Sequence, residues 1–138
     1  MTITPITGPT AEPLSLAEAK AHLRLSSDDE DTLITRLIAT ARRHIENLTG
    51  LALITQTLRH TQEVPPHTHA ITLPIYPVRS IEAVRLCPPQ GDPIVLDPAH
   101  IHLAAASRPA RLVRRRGGPW SPGCLRVGFI AGYGPAPE

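Results

Sequence analysis

Aromatic side chains are nearly missing from this chain: Trp120, Tyr76, Tyr133 and Phe129 are the whole set among 138 residues. A pocket that stacks bases or sugars on rings is therefore not expected. Long apolar runs are missing too, and nothing approaches the roughly 18 residues of a membrane span. The start, "MTITPITGPT", lacks the charged and then apolar regions of a secretory signal. The chain reads as a cytosolic product with no membrane contact. Cys87 and Cys124 are the only cysteines, with no CxxC or Cys/His ligand spacing, so neither a disulfide scaffold nor a zinc site is expected. Both are read as free, buried thiols.

Proline, by contrast, is abundant. The chain holds 16, against about 5% in average usage, and most fall outside residues 15–57. That stretch can be continuous helix; the rest cannot. The length fits one domain able to bury about two-thirds of its unfolded surface.

Charge is unevenly spread. Residues 1–70 carry six Lys or Arg against eight acids, whereas residues 71–138 carry eight Arg against four. Opposite signs in the two halves suit head-to-tail packing of identical subunits, or a polyanion near the second half.

In "PLSLAEAKAHLRL" the Ser15 hydroxyl and the Glu18 carboxylate have capping-box spacing, which predicts a short helix over residues 16–23. "SSDDEDTLITRLIATARRHIENLTG" predicts a second, longer helix. Ser27 is its expected cap, with Asp28, Asp29, Glu30 and Asp31 in a first turn whose dipole favours them. Leu33, Ile34, Leu37, Ile38, Ala41, Ile45 and Leu48 form its expected core stripe. On that reading, an Asp at Leu37 or Ile38 unfolds the chain. Gly50 supplies the stop, and the two helices close as a hairpin through Leu16, Ala19, Leu23 and Leu25.

Beyond Gly50 the period changes to two in "LITQTLRHTQEV". Further strands are predicted at 70–73, 80–86, 94–96, 101–103, 110–114 and 125–131, punctuated by Pro-Pro at 65 and 66, "CPPQGDP" and "RRRGGPWSPG". The fold class is α+β: an N-terminal helical hairpin with one long helix, then a small antiparallel β-sheet or partial barrel. Four segments follow: a flexible N-terminal segment (1–13), the hairpin (14–50), a β-rich module on the helices (51–134) and a tail (135–138).

No catalytic constellation is present. His67 with His69, and His100 with His102, have the i, i+2 spacing of some metal sites, but further ligands are not evident and surface histidines are the simpler reading. Ser107 lacks a GxSxG setting. The glycines near 117 lack the spacing of a phosphate-cradling loop. No cofactor or metal is expected. The strongest charge feature is "ASRPARLVRRRGGPW", in which Arg108, Arg111, Arg114, Arg115 and Arg116 suit phosphate or carboxylate partners, or simply flank a solvated hairpin.

Four stretches taken in order, "LSLAEAKAHLRL", "DDEDTLITRLIATARRHIENLTGLALITQT", "LPIYPVRSIEAVRL" and "GPWSPGCLRVGFIAGYG", resemble the head-tail connector (adaptor) proteins of long-tailed bacteriophages and phage-like gene transfer agents. The most specific piece is "ARRHIENLTGLALITQT", an acid in the last helical turn before Thr-Gly, an apolar step and a strand. The resemblance implies a non-enzymatic structural protein at the head-tail interface of a virion. Such proteins assemble as rings of about twelve copies, extend the DNA channel and join capsid to tail. Its implied partners are the portal protein, neighbouring copies, and a stopper or tail-completion protein, with transient non-specific contact to packaged DNA; Arg108, Arg111, Arg114, Arg115 and Arg116 are the candidates for contact with the DNA channel or with a protein partner. Many relatives continue past the segment matching "AGYG" into portal-docking helices; here the sequence closes in "PAPE", so no portal-docking residue is assigned. The competing readings are a small DNA-binding module built on Arg108 to Arg116, and an enzyme with a histidine metal centre.

Overall fold

A computed structural model describes residues 1–135. The tail expected at 135–138 lies outside it apart from Pro135. The element order is β1 (Thr2–Thr7), α1 (Leu16–Leu23), α2 (Asp31–Thr49), β2 (Gln56–Val64), β3 (Ala70–Leu73), β4 (Val78–Cys87), β5 (Ile94–Leu96), a 3-10 turn (Pro98–His100), β6 (Ile101–Ala104), β7 (Ala110–Arg114) and β8 (Gly123–Ala131).

The α+β class matches expectation and the helical hairpin does in part: Ala19 is buried and Leu16 half-buried, but Leu23 and Leu25, expected to close it, are exposed because α1 ends at Leu23. The β part is two antiparallel sheets, ordered β1-β2-β8-β4-β5 and β3-β7-β6. No strand pairing joins them into a barrel among the described residues. One core lies between the sheets: Leu58, Val84, Leu125, Val127 and Phe129 from the first meet Ile71, Leu73, Ile101, Ala110 and Leu112 from the second, with Trp120 beside them. Alternation explains the placement. Along β8, Gly123, Leu125, Val127, Phe129 and Ala131 are buried while Arg126 between them is exposed.

The first residues do not lie free, as the sequence suggested. Thr2–Thr7 pairs with β2 as an edge strand, Ile3 opposite His60. Its "TITPIT" pattern was hidden by Pro5, and an edge strand tolerates proline because one row of its amides needs no partner.

Helix α1 starts as expected: the Glu18 amide donates to Ser15 Oγ at 3.1 Å and the Ser15 amide to Glu18 Oε2 at 2.8 Å. Helix α2 does not. It begins at Asp31, Glu30 is its N-cap, and no side chain caps it. Ser27 instead bonds Asp29, through both the amide and the carboxylate. The acids serve the hairpin rather than the dipole, because Lys20 Nζ on α1 sits 2.6 Å from Asp28 Oδ1 and 2.8 Å from Asp31 Oδ1.

The helix-to-strand switch is locked by backbone. Gly50 takes φ +69°, and its amide donates to Glu46 O at 2.9 Å. Its carbonyl accepts the Tyr76 amide at 2.9 Å, and the Ala52 amide donates to Tyr76 O at 2.8 Å. The "LTGLALITQT" and "LPIYP" stretches, far apart in sequence, therefore close on each other. The "AGYG" stretch joins them: Arg79 Nε donates to Gly132 O at 2.7 Å, and the Thr55 amide to Gly134 O at 3.1 Å.

Candidate assembly surfaces

The stripe assigned to the core of α2 is two ridges with different destinations. Ile34 is buried and Ile38 half-buried, and four and eight residues further on the same ridge holds Arg42 and Glu46. This i, i+4 row faces its own chain. Arg42, only 6% exposed, reaches back to the N-terminal segment with Nε 2.6 Å from Glu12 Oε2, and its Nη1 stands 2.7 Å from Glu46 Oε2. Glu46 Oε1 in turn accepts the Leu53 amide at 2.9 Å and Gln56 Nε2 at 3.2 Å. Burial alone would lower the Arg42 pKa, but Glu12 and Glu46 hold it above its usual value. Helix α2 is thus fixed by a buried ionic network, where the sequence reading placed an apolar stripe.

The second ridge is Leu33, Leu37, Ala41, Ile45 and Leu48, spaced 4-4-4-3. All five are exposed: Leu33 at 52%, Leu37 at 56%, Ile45 at 46% and Leu48 at 73%. The outward turn of this ridge has a simple cause. The strands fill the core between the two sheets without α2, so only one ridge of a 19-residue helix finds cover in its own chain. At the end of α1, Leu23 at 55% and Leu25 at 37% are exposed as well. Fully burying a Leu or Ile contributes roughly 1.5–3 kcal/mol, and covering the half or more still exposed here contributes a corresponding share of that. Exposed apolar surface grouped on one side of an element is a feature shared by interaction sites.

The five arginines from Arg108 to Arg116 do not converge. All are exposed. Arg108 lies with its guanidinium carbon 4.0 Å from the Tyr76 ring centroid, and Tyr76 meets Tyr133 edge-on at 6.5 Å. Arg114 Nη1 donates to Pro119 O at 3.1 Å and Arg115 Nε to Ile101 O at 3.2 Å. Strand β7 separates Arg108 from Arg114 to Arg116. Its four steps, Ala110 to Arg114, span about 13 Å at 3.3 Å per residue. Three of the five are therefore engaged by their own chain, leaving Arg111 and Arg116 without a bonded partner among the described residues.

Another basic surface escaped the sequence reading. Arg59 on β2, Arg85 on β4 and Arg126 on β8 share the outer face of the five-stranded sheet around Gly128, and Arg85 stands directly opposite Arg126. The signal was present: each sits between two inward-facing residues, in "LRH", "VRL" and "LRV". Among the described residues none of the three enters an ion pair.

The histidine pairs show no metal geometry. His67, His69, His100 and His102 are exposed, and no group of three potential ligands gathers among the described residues. The buried histidine is His60, whose Nε2 lies 2.7 Å from Gln62 Oε1 on the same strand. No described helix is long and apolar enough to cross a membrane.

A family model, the phage gp6-like head-tail connector protein, matches residues 13–82. This chain belongs to that family. The matched region holds the helical hairpin, the Gly50 switch and the "LPIYP" stretch that docks against it. Head-tail connectors of this family are structural components of the phage particle, not enzymes. No curated protein matches the chain. Among solved structures, a chain from the neck of an empty gene transfer agent particle computed with C6 symmetry is 28% identical with a TM-score of 0.80, covering 99% of this chain and 73% of that one. A chain from a native gene transfer agent virion is 27% identical at TM-score 0.74, covering 99% and 74%. A third, from the neck of a native particle computed with C12 symmetry, is 25% identical at 0.75, covering 99% and 72%. This connector is similar to all three over nearly its whole length.

Proposed function

We propose that this connector is one subunit of a ring beneath the portal of a phage-like gene transfer agent, where it joins capsid to tail and extends the DNA channel. The observation that carries the reading is the exposed ridge Leu33, Leu37, Ala41, Ile45 and Leu48, on a helix already fixed to its own chain by Arg42 and Glu46. A rigid helix with one uncovered apolar side suits the same helix region of an adjoining copy. Repeating that contact around a closed ring multiplies a modest affinity. The symmetry of the solved necks, C6 and C12, supports such an arrangement. The hairpin of residues 14–50 is then the lateral assembly element, and the β-rich module of 51–134 meets the portal protein and the stopper or tail-completion protein. Passing DNA meets exposed arginines transiently.

The deciding experiment is light-scattering mass on the purified chain, alone and mixed with the portal protein encoded near it. A ring, or a monomer that becomes a ring on the portal, is the expected result. Indifference to the portal, repeated with a chain extended at its C-terminus, overturns the reading. Tight, salt-sensitive binding of duplex DNA by a monomer would favour the basic-cluster alternative instead.

A further inference from the structure

Cys87 closes β4, and Cys124 is the second residue of β8. They are register partners, and the register is regular over the last four pairs, from Val84 with Val127 to Cys87 with Cys124. Directly opposed residues in an antiparallel pair point to the same side, with Cα atoms about 4.5–5.5 Å apart. That separation falls inside the roughly 4.4–6.8 Å window a disulfide requires. Because Leu86 and Leu125 beside them point into the core, both thiols occupy the outer face, where they are free and half-buried, within reach of small thiol reagents. The backbones are held close at this end. Gly123 takes φ +145°, and a Cβ placed there would stand 2.5 Å from the Cys87 carbonyl oxygen.

We propose that Cys87 and Cys124 form a redox-responsive cross-strand pair, reduced when the chain is made and oxidised to an intramolecular disulfide when it meets a disulfide oxidant of the glutathione type. In the first step one cysteine, as its thiolate, attacks a sulfur of glutathione disulfide and expels one glutathione. In the second, the other cysteine attacks the protein sulfur of that mixed disulfide and expels the second glutathione. The two protein thiols give up two electrons and two protons, and the two glutathione thiols receive them. The bond closes a loop from Cys87 to Cys124 that holds β5, β6 and β7. It staples the central strand β8 to β4 and restricts the unfolded chain far more than the folded one. This inference does not depend on ring formation, so it stands or falls separately from the proposed function.

The test uses the full chain, purified reduced and then incubated with glutathione disulfide. The expected result is joint loss of both thiols to maleimide labelling in denaturant, migration as a single chain on a non-reducing gel, and a peptide pair linking Cys87 to Cys124 by mass spectrometry. The thermal midpoint rises by roughly 10 °C, and dithiothreitol reverses the rise. Cys87→Ser and Cys124→Ser each stop at a stable glutathione adduct without that rise. Persistent adducts on the unaltered chain, dimers linked between chains, or two thiols that survive while the protein remains folded would each overturn the proposal.

Discussion

Leu33 and Ile34 are adjacent on α2, yet Ile34 is 5% exposed and Leu33 52%. One helical step of about 100° separates a residue serving its own chain from one that faces outward. Leu37→Asp, on the outward ridge, should therefore leave far-UV dichroism unchanged and shift unfolding free energy by less than about 0.5 kcal/mol, while abolishing ring formation or joining to the portal. Ile34→Asp should cost more than about 3 kcal/mol, because it buries an unpaired charge. Urea unfolding and light scattering on both variants check the pair. Unfolding by Leu37→Asp would return the ridge to the chain's own core.

The Arg42 network gives a second expectation. Arg42→Met keeps much of the packing but leaves the Glu12 and Glu46 carboxylates without their guanidinium. A loss of about 2–3 kcal/mol is expected, since Glu46 is largely buried and Glu12 partly open to solvent. Hydrogen exchange should quicken at the Leu53 amide, which donates to Glu46. An unchanged Leu53 amide would contradict a role for the network in holding α2 to β2.

The hairpin should respond to pH at both ends of the scale. The Lys20 hydrogen bond holds the Asp28 carboxyl below its usual value, and the Ser15 amide does the same for Glu18. Both contributions are present above the ordinary carboxylate range near pH 4 and fade as pH falls through the lower folded values. Lys20 is raised, chiefly by its bond to Asp28. Its contribution is full below about pH 10 and is lost as pH rises through the raised value. Glu18 and Asp28 are exposed and Lys20 is half-buried at the surface, so the changes should be small and sensitive to salt. Asp28→Asn should remove a small, salt-sensitive part of the acid limb of a stability profile, and a low-salt profile identical to the unaltered chain would count against the assignment.

Changing Arg114, Arg115 and Arg116 together to Ala should leave the fold intact and lower stability by about 1–2 kcal/mol. Two hydrogen bonds to carbonyl oxygens are lost, an exposed one at Pro119 and a part-buried one at Ile101. Assembly or DNA passage is where the larger effect should appear. Complete unfolding of the triple variant would show that the β7–β8 turn depends on these side chains for more than solvation.

Local rules made much of the architecture legible. The Ser15-Glu18 capping box, the Gly50 stop and the strand at Ala110–Arg114 are set by residues within a few positions of one another, and each lies where the sequence placed it. The connector resemblance was legible for the same reason, because its quoted stretches are local signatures, two of which meet at Gly50 and Tyr76. What pattern could not supply was destination. The period of α2 marks its apolar side, but only the strand-filled core leaves Leu33, Leu37, Ala41, Ile45 and Leu48 uncovered while Ile34 and Arg42 turn inward. The Arg42–Glu12 bond, the Lys20 clamp on Asp28 and the facing of Cys87 with Cys124 join residues separated in sequence. Their pairing depends on register and on how the hairpin is set against the sheets. Local propensity thus determined the elements, and long-range packing decided which surfaces those elements keep for themselves and which they leave for neighbours.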